Sequence, residues 1–132
     1  MTHQELLDRA AEARKNAYAP YSGFAVGAAL LTEDGRVFPG CNIENASFTP
    51  TCCAERVAIF KAISEGVTGK ELRAIAVVGG TAETATPCYP CGVCRQVMAE
   101  FCEDAFEVVL QDETGNPRVL TLGGLLPNRF RL

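Results

Sequence analysis

Hydrophobic positions recur along the chain with helical spacing in some stretches and in strand-like runs in others. Residues 4–17 place leucines and alanines at helical spacing between charges, which predicts an amphipathic first helix. Two β-like runs, 24–32 and 36–41, flank a Glu-Asp-Gly turn and are expected to pair as an antiparallel hairpin. Residues 53–65 return to helical spacing, and the glycines that follow predict its end.

The second half of the chain continues to alternate between strands and helices. Its predicted elements are a buried strand at 72–78, a loop at 81–90, a helix at 92–101, strands at 106–111 and 118–121, and a short helical turn at 123–127. The order α-β-β-α-β-α-β-β predicts an α/β fold in which helices cover a single mixed β-sheet of about five strands. A length of 132 residues with 48% hydrophobic content suits one compact domain over residues 1–132.

Charge and cysteine content narrow the function classes. The net charge is -4 and the basic residues are scattered, which argues against nucleic acid as a main partner. The polar N-terminus resembles neither a signal peptide nor a membrane span, so no membrane partner is expected and the expected location is the cytoplasm. Seven cysteines, an odd number without an export signal, argue against a disulfide framework. Reduced thiols more often serve metal binding, catalysis or packing.

A C-x-x-C motif, Cys91 to Cys94, follows Pro90 at the start of a predicted helix. At a helix N-terminus both sulfurs can face one ion, and the partial positive charge of the helix lowers the pKa of the thiols. The same motif can also form a redox pair. The spacing alone leaves metal binding and redox chemistry both open.

A second motif, Cys53-Ala-Glu55, opens the other central helix and favours the metal. It adds a third thiolate with a carboxylate two residues on. Three protein ligands leave the fourth position of zinc open, which is typical of a catalytic site. A C-x-E motif followed downstream by P-C-x-x-C is the general signature of zinc-dependent nucleobase deaminases, in which the glutamate is the general acid and base.

Several motifs, in the right order over essentially the whole chain, resemble the homotetrameric zinc-dependent cytidine deaminases. They lie at residues 21–30, 42–47, 53–56, 90–96 and 125–130. The resemblance implies a hydrolase of a cyclic amidine C–N bond, active in pyrimidine salvage, which converts free cytidine and deoxycytidine to uridine and deoxyuridine plus ammonia. It also implies one zinc ion per chain on Cys53, Cys91 and Cys94. In this hypothesis a zinc-bound hydroxide attacks ring carbon C4, and Glu55 shuttles protons.

The resemblance assigns further roles around the metal and the nucleoside. Arg56 is expected to donate hydrogen bonds to the ligand sulfurs and offset the excess negative charge of three thiolates. The expected substrate contacts are Phe24 against the base, Asn42 and Glu44 on the ribose hydroxyls, the backbone N–H of Ala54 on the ring carbonyl, and Phe130 in a neighbouring subunit's pocket. A carboxylate at the 3′-hydroxyl would repel a phosphate there, which favours a free nucleoside.

Several of these residues could instead have a purely structural role. Cys41, Cys52, Cys88 and Cys102 are interpreted as packing residues, although Cys88 makes a double C-x-x-C with Cys91 and Cys94. Asn42 and Glu44 could serve only the turn, and Phe24 and Phe130 only packing. His3 is not expected to bind metal, and Arg95 and Gln96 are expected to fix the metal helix.

Two residues depart from the family pattern, and the sequence is also compatible with other functions. Tyr89 stands where a small serine is frequent and Phe48 where a tyrosine is common. The alternatives are a deaminase of another aminopyrimidine nucleoside such as blasticidin S, a non-catalytic zinc-binding module, a C-x-x-C thiol oxidoreductase, and an enzyme that edits polynucleotides.

Overall fold

The computed structural model describes residues 1–80 and 87–132, so most of the predicted 81–90 loop lies outside the described residues. The strands are β1 (Ala25–Thr32), β2 (Val37–Cys41), β3 (Leu72–Gly80), β4 (Glu107–Gln111) and β5 (Pro117–Thr121). The helices are α1 (His3–Arg14), α2 (Ala54–Ser64), α3 (Gly92–Phe101) and the short α4 (Leu122–Leu125). The predicted α/β fold with a five-stranded mixed sheet is confirmed.

The strands form one sheet in the order β2-β1-β3-β4-β5. Only β3 and β4 run parallel, and α3 lies in the connection between them; the other neighbours are antiparallel. The predicted hairpin joins β1 to β2, with Gly35 at φ +88° and a hydrogen bond of 3.0 Å from the Thr32 N–H to the Arg36 carbonyl. Glycine suits this turn because the left-handed region costs it no Cβ clash.

Alternation along the strands divides the core between the two faces of the sheet. On β1, Leu30 faces one side and Leu31 the other, because successive strand residues point in opposite directions. Helix α1 covers one face through Leu6 and Leu7, which are almost fully buried. Helices α2 and α3 cover the opposite face, where Ile59 and Met98 are fully buried.

Element boundaries differ from the prediction where tertiary contacts intervene. Helix α1 ends at Arg14 and not at residue 17, because the Tyr18 N–H turns to the Asn42 carbonyl and the Tyr18 carbonyl accepts from the Glu44 N–H. A 3₁₀ turn at Gly69–Glu71 follows α2, where the glycines predicted only a stop. Strand β1 begins at Ala25, so Phe24 lies just outside the sheet. Within residues 1–80 and 87–132, none of the helices has the length and apolar character that crossing a bilayer requires.

Candidate active site

The sheet brings the first residues of α2 and α3 together on one face. Cys53 is the N-cap of α2 and Cys91 is the N-cap of α3, while Cys94 lies in the first turn of α3. Neither N-cap side chain accepts a capping hydrogen bond from the backbone N–H groups of its own helix, so the first amide groups of both helices leave partial positive charge beside the sulfurs. The two predicted cysteine motifs therefore meet at two helix N-termini.

The sulfur geometry fits a zinc ion. The Sγ atoms of Cys53 and Cys91 lie 3.8 Å apart, and the ligand atoms of Cys53, Cys91 and Cys94 all lie within 4.8 Å of one another. Tetrahedral zinc with Zn–S bonds of about 2.3 Å separates its sulfurs by about 3.8 Å. Within the part of the chain that the structure describes, this is the only such group of histidine, cysteine or acidic residues. Cys88 falls outside it, so the geometry selects the second half of the double C-x-x-C.

Arg56 and the neighbouring thiols perturb the protonation of the cluster. A hydrogen bond from the Cys94 thiol, together with the Arg56 guanidinium, lowers the pKa of Cys53 to about 5. Sharing its proton with Cys53 raises the pKa of Cys94. Arg56 Nη2 donates to Cys53 Sγ at 3.4 Å, and its buried Nε has no protein partner among the described residues. The structure thus places Arg56 where the sequence analysis expected it, beside the sulfurs.

Glu55 lies in the first turn of α2 and borders the same cleft as Cys53 and Cys91. Glu55 is almost fully buried, with 4% exposure, and this burial raises the pKa of its carboxyl to about 7. A carboxyl with a pKa near neutrality can both accept and return a proton, which is the requirement for a general acid and base. Few surface glutamates have this property.

The cleft has a volume of about 310 Å³ and joins the cysteine cluster to the residues predicted to hold a nucleoside. Phe24, Asn42, Glu44 and Ala54 all line it. A cavity of this size is large enough for a small ligand. A larger cavity of about 450 Å³ between the 3₁₀ turn and β4 contains none of the predicted site residues.

Asn42 and Glu44 are both engaged with backbone groups at the cleft. Asn42 Oδ1 accepts from the Val26 N–H at 2.9 Å and its Nδ2 donates to the Phe24 carbonyl at 2.8 Å, so this buried amide fixes the start of β1. Glu44 accepts from the N–H groups of Tyr21 and Ser22 at 3.0 and 3.1 Å and from the Ser22 hydroxyl. The Ser22 hydroxyl bond is the main reason that the pKa of Glu44 is lowered. An ionised, fixed acceptor thus borders the cleft.

Phe130 lies apart from the other predicted site residues. It is 70% exposed and borders a different cavity with Gln96 and Glu100. Gln96 Nε2 donates to its carbonyl at 3.3 Å, which holds the tail against α3. Phe130 does not line the cleft of its own chain, and its entry into a neighbouring subunit's pocket stays a prediction.

The other four cysteines, Arg95 and His3 do not belong to the sulfur cluster. All seven cysteines are free. Arg95 donates to the carbonyls of Pro90 and Leu125, both at 2.8 Å, and so ties the start of α3 to the C-terminal segment. The single histidine, His3, has a polar contact with Glu107 at 3.1 Å, and it is not part of the sulfur cluster.

The sequence analysis gave no role to two residues that shape the cleft. The first is Ser22, whose hydroxyl holds Glu44; its place next to a glycine before an apolar strand is the only local signal for it. The second is Arg118, which donates to the Tyr89 hydroxyl at 2.8 Å from β5. Nothing in the local sequence around residue 118 indicates this contact.

Comparisons with known proteins identify the family of this chain. Residues 1–110 match the family described as the cytidine and deoxycytidylate deaminase zinc-binding region. Over 130 residues the chain is 52% identical to a cytidine deaminase of Halalkalibacterium halodurans, covering 98% of this chain and 95% of the relative. A cytidine deaminase of Sporosarcina psychrophila is 48% identical over 130 residues, covering 98% and 92%.

A solved structure shows the same fold. The crystal structure of cytidine deaminase from Burkholderia pseudomallei matches with a TM-score of 0.90 and 53% identity, covering 98% of this chain and 100% of that one. The cytidine deaminase from Mycobacterium tuberculosis matches with a TM-score of 0.81 and 41% identity, covering 100% and 99%. The chain belongs to the cytidine and deoxycytidylate deaminase family.

Proposed function

We propose that this protein is a cytidine deaminase, which hydrolyses cytidine and deoxycytidine to uridine and deoxyuridine plus ammonia in pyrimidine salvage. One observation carries the proposal: a cluster of three cysteine sulfurs adjoins a small cleft, which two of these cysteines line together with a buried glutamate. That combination suits a hydrolytic metal site better than a closed structural one, because Cys53 and Cys91 border open space.

Cys53, Cys91 and Cys94 would hold one zinc ion per chain. When bound, zinc supplies Lewis acidity that allows water to act as a nucleophile near neutral pH. Three thiolates and one Zn²⁺ leave a net negative charge, which opposes that chemistry. Arg56 and the two helix N-termini lie beside the sulfurs and offset part of the charge.

Glu55 moves the protons. It takes a proton from the attacking water as the bond from oxygen to ring carbon C4 forms, and it passes this proton to ring nitrogen N3. It then delivers a second proton from the same oxygen to the amino nitrogen, so that the C4–N bond breaks and ammonia leaves. Its burial keeps bulk water away from the carboxyl and supports both transfers.

The nucleoside would be held by the residues that line the rest of the cleft. Asn42 and Glu44 bind the ribose hydroxyls, Phe24 packs against the base, and the Ala54 N–H at the start of α2 donates to the ring carbonyl O2. The ionised Glu44 would repel a 3′-phosphate, which favours a free nucleoside over a polynucleotide.

The proposal extends to the assembly and its location. We infer a homotetramer in which Phe130 of one chain enters the cleft of a neighbour; its exposure on its own chain leaves it available for this contact. Seven free thiols fit a reducing compartment such as the cytoplasm.

The first test is Glu55→Gln, with Glu65→Gln as the matched control at the other, exposed end of the same helix. Cytidine turnover is followed by the loss of ultraviolet absorbance, and zinc is quantified on the same sample. Removing the general acid and base should lower kcat by at least about 10²-fold with zinc retained, while Glu65→Gln keeps wild-type activity. Full activity in Glu55→Gln would contradict the assigned proton transfers, and a wild-type protein inactive on both nucleosides would contradict the proposed substrate.

The second test separates adjacent cysteines. Cys53→Ser should lose zinc and activity together, whereas Cys52→Ser, one residue away and outside the sulfur cluster, should keep both. Equal zinc loss in the two variants, or a zinc-free active protein, would refute the ligand assignment.

A further inference from the structure

The segment just before α3, residues 88–91, forms part of the cleft, and Tyr89 in it has no role in the proposed reaction. We propose that Tyr89, held by Arg118, is a specificity-determining residue that admits cytosine with hydrogen at ring carbon C5 and rejects a methyl group there. This inference rests on the proposed function. It names the substituent at which the cleft discriminates between substrates.

Arg118 holds the Tyr89 side chain from outside the cleft. Its Nη1 donates to the Tyr89 hydroxyl at 2.8 Å, and its guanidinium carbon lies 5.8 Å from the centre of the Tyr89 ring. Arg118 belongs to β5 and pairs with Leu110 of β4, so the sheet fixes its backbone. A hydrogen bond and a cation–π contact together restrict the ring, although it is 45% exposed.

The backbone on both sides of Tyr89 is also fixed. Cys88 packs so closely on Gly79 of β3 that a Cβ atom added at Gly79 would lie 2.6 Å from the Cys88 sulfur. The carbonyl of Pro90 accepts from Arg95 Nε at 2.8 Å. Tyr89 therefore cannot move away from the cleft without breaking a contact at residue 88, 90 or 118.

The orientation of the base follows from the proton transfers. Ring nitrogen N3 must face Glu55 and carbonyl O2 must face the Ala54 N–H, both on α2. Carbon C5 lies on the other side of C4 from N3, so it points away from α2. Apart from α2 and the residues that lead into it, the cleft lining next to the cysteine cluster in the chain is the 88–91 segment, so we assign C5 to the side of Tyr89, two residues before Cys91.

A methyl group at C5 would then press on a ring that can retreat only by breaking its contact with Arg118. One extra methyl or methylene group in a pocket changes discrimination by roughly 10- to 200-fold. The effect should appear as a ratio between two substrates, since the catalytic groups themselves are unchanged.

The experiment measures kcat/KM for 5-methylcytidine relative to cytidine in wild type, Tyr89→Ala, Tyr89→Phe and Arg118→Ala. Because both substrates are measured on the same sample, the ratio is independent of zinc content and of the folded fraction. The ratio should rise at least about tenfold in Tyr89→Ala. Tyr89→Phe and Arg118→Ala keep a ring but free it, so their ratios should lie between wild type and Tyr89→Ala.

The matched substrate control is 5-fluorocytidine, because fluorine is only slightly larger than hydrogen. Its kcat/KM relative to cytidine should stay the same in all four proteins. An unchanged 5-methylcytidine ratio in Tyr89→Ala overturns the role of Tyr89, and a wild-type ratio in Arg118→Ala overturns the role of Arg118. If wild type deaminates cytidine in the same assay, either result refutes this inference alone and leaves the proposed function intact.

Discussion

Gly40 on β2 lies directly beneath the first turns of the helix that carries Cys53 and Glu55. A Cβ atom added there would lie 2.5 Å from the Ala54 carbonyl oxygen and 2.6 Å from the Ala58 backbone nitrogen. Both are backbone atoms of α2, so no side-chain rotation can relieve the clash. Gly40→Ala should therefore displace the start of the metal-binding helix.

The distances from the added Cβ atom to α2 determine the size of the displacement. Ordinary contact begins at 3.4 Å, so the first turn of α2 must move outward by roughly 0.9 Å. Metal sites tolerate deviations of about 0.2 Å in ligand distance, and Cys53 is bonded to Ala54 and moves with it. Overpacking of this kind costs about 1–3 kcal/mol. Zinc affinity should fall about tenfold for each 1.4 kcal/mol that it costs to return the start of α2 to its zinc-binding position.

Gly27→Ala is the matched control on the opposite face of the sheet. Its Cβ would lie 2.0 Å from the Ala10 carbonyl oxygen, so it pushes α1 and not α2. Tm is measured by circular dichroism at one protein concentration, and zinc affinity by competition with a chromophoric chelator. Both variants should have a lower Tm, but only Gly40→Ala should bind zinc more weakly. Equal zinc affinity in the two variants, at lowered Tm, would refute the geometric reasoning.

Two further substitutions test the charges around the cleft. Arg56→Gln should retain zinc but lower kcat by about 10- to 100-fold, because the charge beside the Cys53 sulfur is lost; wild-type kcat would show that Arg56 does not tune the metal. Glu44→Gln should raise KM for cytidine while leaving turnover of 2′,3′-dideoxycytidine, which lacks the ribose hydroxyls in question, nearly unchanged. An equal change for both nucleosides would place Glu44 in a purely structural role.

The fold could be predicted from the sequence because its signals are local. The apolar run of β1 and the turn glycine Gly35 specify a hairpin, and helical spacing specifies α2 and α3. The end of α1 could not be predicted, since it depends on hydrogen bonds between Tyr18 and the segment around Asn42 and Glu44. The strand order likewise depends on pairings that no local pattern contains.

The cysteine motifs of the candidate metal site were also predictable from local signals, but the contact between Arg118 and Tyr89 beside the cleft was not. Cys53 and Glu55 lie within one helical turn, as do Cys91 and Cys94, so each motif can be recognised from a few neighbouring residues. Spacing alone could not choose between the two halves of the double C-x-x-C; the cluster of the Cys53, Cys91 and Cys94 sulfurs, which leaves out Cys88, does so. The bond from Arg118 to Tyr89 joins residues 29 positions apart.

The cysteine cluster also shows the difference between what a local sequence motif specifies and what the tertiary structure specifies. Cys53 and Cys91 are 38 positions apart, yet their sulfurs lie 3.8 Å apart, because α2 and α3 both start at the same side of one sheet face. The motif at each helix start identifies the ligands, but the position of Cys53 also depends on Gly40, which lets α2 approach β2 closely. A substitution that leaves every zinc ligand in place, such as Gly40→Ala, should therefore still weaken zinc binding.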